Sequence, residues 1–445
     1  MATKDKSKRN SADNKRNTNQ WQQTIAQEYT YCMISTLNQM VNYLPMLLFD
    51  FQQPKMYLTL KGAPNEAFDK CLFDTCKKLK NEEKGTRFDI PSSKEELGDI
   101  NNIDVVKEAI AKTAKGKKVL WNITGGQRPV MLAIFELLKE SERRDDIVMY
   151  LEGNKAQLVW MKVEGQKLVP IPDATHSLGK YKVEHNLQWL TIPIALRLMG
   201  IKEFAEYTPY DGNYSDHQTR LALVDKYKQD ETLRKKLLAL NRENGGKDAD
   251  GNVFNGKDIL KEKNEDKAKS YFSFLTKEEL SLVAKYESKT YPFGHLLEEM
   301  YAATIYKAAK DNIVEMAVNL KLRPEREAQH KEGNNKQTDE IDIILLTKTG
   351  QLVVFEVKSG GMSGDVAKST KYTTYAIAGV YGKPILLTAL LNAQLSKASE
   401  LSKVWPYETS AAAIRAANRA QLPIIALDGD ENNDFETAIK NLLHL

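Results

Sequence analysis

Hydrophobic and polar positions keep two rhythms along this chain. From Gln27, short apolar runs alternate with longer amphipathic ones. The pattern predicts strands over 29–35 and 55–60, each followed by a helix, 36–49 and 65–80. A strand-like stretch at 87–90 leads to an amphipathic helix near 94–115. The compact apolar strand 118–123 then runs straight into Thr124-Gly125-Gly126-Gln127-Arg128-Pro129 and a helix to about 140. Strands at 146–151 and 157–163 follow. Strands alternating with helices predict a parallel, doubly wound α/β sheet.

The middle of the chain is less patterned. A helix over 192–199 ends at Gly200, 214–241 reads as helical and charged, and 243–257 is a loop rich in Gly, Asn and Asp. From Tyr291 regular structure resumes with a helix to about 310. Period-two runs flank Gly350, then a helix (366–379), a strand (383–389), a helix (410–420), a strand (422–427) and a closing helix follow. The expected organisation is a basic, disordered tail over 1–24, a first domain over 25–175, a connecting region over 176–289 and a second domain over 290–445.

The runs around Gly350 carry chemistry. Ile341, Ile343 and Leu345 alternate with Asp342, Ile344 and Leu346; Val353, Phe355 and Val357 alternate with Val354, Glu356 and Lys358. A hairpin with a three-residue loop and a left-handed Gly350 pairs Thr347 with Gln351, Ile343 with Phe355, and Asp342 with Glu356. A two-residue loop would set apolar positions against polar ones. Facing carboxylates destabilise a strand pair unless a cation bridges them, and hard oxygen donors suit Mg²⁺ or Mn²⁺. Lys358, on the same face, would orient the attacking water or steady developing phosphorane charge. An exposed hairpin with an ordinary Glu–Lys pair also satisfies the bare pattern.

Asp342 followed by Glu356-x-Lys358 on the neighbouring strand resembles the PD-(D/E)xK nuclease superfamily, with Ile341 where the Pro of that name would stand. The resemblance implies a restriction-endonuclease-like α/β domain and metal-dependent phosphodiester hydrolysis. On the preceding helix, Glu298 shares a face with Tyr301 and Ile305, at the edge of the buried side, while Glu299 is expected to point with Ala303 and Tyr306 towards solvent. Glu298 is therefore the preferred third metal carboxylate; a first-turn carboxylate favoured by the helix dipole is the plain alternative.

In doubly wound sheets ligands bind beyond the carboxyl ends of the strands. Two turns qualify here, Ser35-Thr36 and 122–128. Gly125 and Gly126 permit close backbone approach, and free N–H groups at the next helix start attract phosphate. The spacing is neither G-x-G-x-x-G nor a Walker loop, and a tight-turn Gly pair explains it equally well on physics alone. Asn122-x-Thr124-Gly125-Gly126-x-Arg128-Pro129-x-Met131, with the Ser/Thr turn after the first strand, resembles the CARF domain of CRISPR-associated effectors. The resemblance implies a homodimer that binds a cyclic oligoadenylate, and contact by Ser35, Thr36, Asn122, Thr124, Gly125, Gly126, Gln127 and Arg128. Cyclic tetra-adenylate suits a two-fold axis. Gly294-x-Leu296-Leu297-Glu298 is also similar to the G-x-W-L-E of CARF-fused nucleases, with Leu296 replacing the Trp. The expectation is a gated nuclease of type III CRISPR defence acting on single-stranded DNA or RNA, and nicking duplex DNA as a further option. An ungated restriction or repair nuclease and a non-catalytic nucleotide sensor are the alternatives.

Composition changes little. At 445 residues the chain has room for two or three domains, and with 28% charged residues but a net charge of only +4, any basic surface must be local. Cys32, Cys71 and Cys76 lack metal spacing, and neither a membrane-length apolar run nor a signal peptide is visible. These features predict a soluble, cytoplasmic protein. Two calcium-like starts, at Asp248 and Asp428, have Ile259 and Ile439 at the twelfth position and read as surface turns. Lys368 and Lys371 on the helix after the hairpin face either a phosphate backbone or solvent. His295 has no spaced partner and reads as structural.

Overall fold

Parallel pairing demands strands that are apolar on both faces, and the N-terminal strands meet that demand. In the computed structural model β1 (Thr30–Ile34), β2 (Met56–Thr59) and β4 (Val119–Asn122) are buried along their whole length. The structure describes residues 21 and 24–443, except 63–64, 84, 92–93, 100, 153–156, 172–175, 178–186, 202, 214–215, 242–245, 248–249, 255–269, 287–288, 290, 324–338, 360–363, 398–399, 401–404 and 406–410. The basic tail over 1–20 thus lies outside the described residues. The chain divides essentially at residue 202 into two units.

In the first unit the strand order is β3-β2-β1-β4-β5-β6-β7, with β3 (Glu95–Glu96), β5 (Ile147–Glu152), β6 (Gln157–Glu164), β7 (Lys167–Pro170), and β8 (His176–Ser177) pairing β6. Pairing is parallel from β3 to β5 and antiparallel beyond. Helices α1 (Met40–Leu48), α2 (Glu66–Glu82), α3 (Ile103–Ala114), α4 (Arg128–Leu137) and α5 (Ile192–Leu198) complete it. Ile34, Trp121 and Val148 from the sheet pack with Ile110, Val130 and Ile134 from α3 and α4. Strand order reverses between β1 and β4, so the loops after these strands flank the switch point. Two expected elements differ. Residues 87–90 form no strand, and the helix expected from 94 starts at Ile103, because Gly98 takes φ +85° and Asn102 caps the helix by accepting from the Asp104 and Val105 amides at 3.1 and 3.2 Å.

The second unit is built on a six-stranded sheet, β16-β15-β14-β13-β12-β9. Its strands are β9 (Glu203–Pro209), β12 (Ile313–Arg323), β13 (Asp339–Thr347), β14 (Leu352–Lys358), β15 (Lys383–Thr388) and β16 (Ile424–Ala426); β10 (Gly246–Lys247) and β11 (Val253–Phe254) form a separate small hairpin. Antiparallel pairing runs from β9 to β14, and β14, β15 and β16 are parallel. Helices are α6 (His217–Gln229), α7 (Glu231–Ala239), α8 (Lys277–Ala284), α9 (Pro292–Ala309), α10 (Gly364–Ala378), α11 (Ala411–Ala420) and α12 (Phe435–Leu443).

The period-two pattern sorts this sheet's two faces. Ile343, Leu345, Val353, Phe355 and Val357 join Leu296, Leu297, Met300 and Tyr301 of α9 in one core, whereas Leu386 packs with Val366, Ala367 and Ala417 of α10 and α11 on the other side. Residues after 203 are not a separate connector. β9 edges the sheet, and Leu223, Tyr227, Leu233 and Leu237 of α6 and α7 enter the α9 core. β12 had no counterpart among the expected elements, although Met316, Val318, Leu320 and Leu322 alternate; a bulge near Ile313 and a left-handed Asn319 (φ +52°) blur its rhythm. Among the described residues no helix is long and apolar enough to cross a membrane, and the three cysteines are buried free thiols.

Candidate functional site

The hairpin takes the expected register. Ile343 pairs with Phe355 and Leu346 with Leu352, Thr347 donates its amide to the Gln351 carbonyl at 3.0 Å, and Gly350 takes φ +79°. One step past the last ladder pair, Asp342 Oδ2 accepts the backbone N–H of Val357 at 2.7 Å. A side chain thus takes up the amide just beyond the point where the strand ladder stops. The same register carried one pair beyond the ladder would set Glu356 opposite Asp342, and Lys358 Nζ rests on Glu356 Oε1. From α9, Glu298 adds its charge to both Asp342 and Lys358, and its Oε2 lies 3.4 Å from His295 Nδ1. The sheet and α9 therefore bring Asp342, Glu356, Lys358 and Glu298 together.

Electrostatics records the crowding. Burial, and then the charges of Glu298 and Glu356, hold the Asp342 carboxyl well above the usual carboxylate range, against the pull of Lys358 and the Val357 amide. Burial works to lower the Lys358 ammonium, but Glu356 and Asp342 outweigh it and raise it. His295 is raised by its bond to Glu298. Three hard carboxylates in mutual repulsion are a donor set that fits Mg²⁺ or Mn²⁺. As the side chains stand, no three such donors among the described residues converge on one point. Each carboxylate has its own partner instead: Lys358 on Glu356, His295 on Glu298 and the Val357 amide on Asp342.

Glu299 does not face solvent, contrary to expectation. Its carboxylate is only 13% exposed and binds Arg220 Nη2 at 2.9 Å and Lys285 Nζ at 2.9 Å, with the Tyr286 hydroxyl donating as well. Arg220 is itself 1% exposed. Ala303, its presumed companion at the surface, is buried. Glu299 thus fastens α9 to α6 and to the α8 region, and its neighbour Glu298 is left for the carboxylate cluster. Asn241 was missed altogether: its Oδ1 accepts the Phe293 amide at 3.0 Å and its Nδ2 donates to Ser359 Oγ at 2.8 Å, joining the start of α9 to the end of β14. No local pattern marks it, because both partners are distant in sequence.

In the first unit the two loops meet at a glycine. A Cβ on Gly125 would stand 2.7 Å from Thr36 Oγ1, and one on Gly126, at φ +113°, 2.4 Å from the Ile34 methyl. Asn122 is buried; it donates to Tyr31 Oη at 2.8 Å and the Val41 carbonyl at 2.9 Å and accepts from the Thr124 amide at 3.1 Å. Ser35 is also buried and donates to Asp69 Oδ1 at 2.8 Å. Thr124 Oγ1 accepts from Leu151 and Gln127 Oε1 from Leu60, at 2.8 and 3.2 Å. Buried Ser35 and Asn122 shape the loops from behind. Thr36, Thr124, Gly125, Gly126 and Gln127 are half-buried, and Arg128 at the start of α4 is exposed. Asp69, in the first turn of α2 and part of no motif, gathers Ser35, Tyr57, Gln39 and Lys94 beneath the first loop.

No protein-family model and no curated protein matches the sequence. Solved structures share its fold. Protein VC1899 from Vibrio cholerae aligns with a TM-score of 0.59 at 14% identity, over 93% of this chain and 96% of its own. Can2 from Sulfobacillus thermosulfidooxidans, solved in complex with cyclic tetra-adenylate, aligns at 0.53 and 12% identity, over 93% of this chain and 98% of its own.

Proposed function

We propose that this chain, which has the fold of Can2 over 93% of its length, is a cyclic-oligoadenylate-activated, divalent-metal-dependent nuclease of type III CRISPR defence. It would act as a homodimer whose first unit senses the messenger and whose second unit cuts single-stranded DNA or RNA. The carrying observation is the carboxylate cluster, in which Asp342 is buried against two like charges with Lys358 alongside.

Asp342 and Glu356 would hold the metal, with Glu298 assisting. When bound, Mg²⁺ or Mn²⁺ supplies Lewis-acid stabilisation of charge on the phosphate. Lys358, kept cationic by its two carboxylate neighbours, orients the attacking water or steadies the developing phosphorane charge. In the first unit Thr36, Thr124, Gly125, Gly126, Gln127 and Arg128 are the groups for the messenger's phosphates and sugars, on a surface that buried Ser35 and Asn122 shape. A four-fold ring matches the two-fold axis of a dimer. Messenger binding would favour the dimer state in which the nuclease cleft closes on substrate.

The test is cleavage of labelled single-stranded DNA and RNA with Mn²⁺, with and without cyclic tetra-adenylate. Cleavage only with both present is the expected result. Cleavage without the messenger would overturn the sensor assignment and favour an ungated nuclease; messenger binding with no cleavage at any ring size would favour a sensor without catalysis.

A further inference from the structure

Helix α10 covers the face of the sheet from which Glu356 projects. Glu356 is the register partner of Leu386 in the neighbouring parallel strand, and Leu386 packs against Val366 and Ala367 in the first turn of α10. Asp342 and Lys358 share that parity, whereas Val353, Phe355 and Val357 face α9. A strand that approached the carboxylates over this face of the sheet would pass α10.

The outer surface of α10 is unusual. Lys368, Lys371, Tyr372 and Tyr375 fall at spacings that form one stripe along the helix. Tyr372 is 75% exposed and Tyr375 is 54% exposed. Two large rings one turn apart, left in water on a well-packed helix, are an expense that the fold itself does not explain. Charge follows the same surface. Lys368 lies 3.1 Å from Asp365, Lys371 Nζ donates to the Ala420 carbonyl at the end of α11, and α11 adds exposed Arg415 and Arg419 one turn apart. Across α10 and α11 there are four cations and one carboxylate.

Aromatic faces among cations match an unpaired strand, whose bases are free to stack on rings while its phosphates meet the ammonium and guanidinium groups. A duplex keeps its base faces inside its own stack. We propose that the Tyr372–Tyr375 stripe of α10 is a stacking platform that delivers single-stranded nucleic acid to the Asp342–Glu356 cluster. This rests on the nuclease reading above and assigns the residues that would hold its unpaired strand.

The platform is tested with the full-length protein by fluorescence anisotropy of an oligothymidine strand and of a duplex of equal length, with Ca²⁺ in place of Mn²⁺, and by cleavage kinetics with the messenger and Mn²⁺. Replacing both tyrosines, Tyr372→Ala with Tyr375→Ala, should weaken strand binding about tenfold or more. It should raise KM for strand cleavage with kcat retained and leave duplex binding unchanged, while Tyr→Phe at both positions should bind as the wild type does. Unchanged strand affinity in the double alanine variant, or equal loss for strand and duplex, would overturn the platform. So would a change in sedimentation, which would assign the tyrosines to a protein contact. If the wild type cuts nothing, the nuclease reading falls while the strand-selective binding loss still stands or fails by itself.

Discussion

Val357 donates its backbone N–H to Asp342 Oδ2 at 2.7 Å across the hairpin. The bond orients a carboxylate that burial and two like charges would otherwise drive from its place. Asparagine can accept the same bond through Oδ1 while losing the charge. Asp342→Asn should therefore abolish cleavage yet raise metal-free stability by about 0.5–2 kcal/mol, the range usual for relieving one unfavourable group. Urea melts of both proteins with EDTA present, beside an activity assay, check this; a destabilised Asn variant would contradict the crowding.

The same residue sets a pH dependence. An acid whose folded pKa lies above its unfolded value, near 3.9, binds more protons in the native state across that interval. Stability contributed by this group accordingly falls as pH rises from the unfolded pKa through the raised one. Melting across that window without metal should show the decline in the wild type and a shallower one in Asp342→Asn. Added Mn²⁺ should offset the decline, since the cation takes over the role of the proton.

Glu356→Ala should remove cleavage and leave messenger binding intact, because Glu356 belongs to the second unit and the loops proposed for the messenger belong to the first. Calorimetric titration with cyclic tetra-adenylate alongside the cleavage assay separates the two. Retained cleavage would remove Glu356 from the site.

Glu298 and Glu299 are adjacent in sequence and should respond oppositely. Glu298→Gln should lose cleavage with little change in stability. Glu299→Gln leaves Arg220 buried without its full counter-charge, so the loss should fall on stability, at about 3–5 kcal/mol, the usual cost of breaking one side of a buried pair. Thermal melts and activity at low temperature distinguish these responses.

Gly125→Ala should destabilise the first unit by about 1–3 kcal/mol, the usual cost of overpacking, through its approach to Thr36 Oγ1 and Cβ at 2.7 and 2.9 Å. Thr36→Gly in the same chain should recover part of the loss, which a melting curve would show. No recovery would place the strain elsewhere.

Much of this arrangement was legible in the sequence. The hairpin register followed from parity and one glycine, because a half-buried sheet tolerates only one alignment of apolar faces. Most strands and helices of the first unit followed from short apolar runs separated by amphipathic ones, whereas the short, polar β3, β7 and β8 gave no such run and 87–90 gave one without forming a strand. What escaped notice depends on partners far along the chain. Glu299 looked solvent-facing because nothing near it announces Arg220, 79 positions away. Ser35 and Asn122 looked like ligand contacts, yet their polar atoms are spent on Asp69 and on Tyr31 and Val41. The stretch after 203 looked like a connector because a charged helix with one buried stripe gives no sign of which core receives it.

The contact between Gly125 and Thr36 also bears on how such a protein can diversify. Two loops that touch with no space for a methyl group cannot drift independently. Any bulk gained at position 125 must be surrendered at position 36, so a lineage reshaping these loops would move both positions together, in steps that pass through a strained intermediate unless the smaller side chain arrives first.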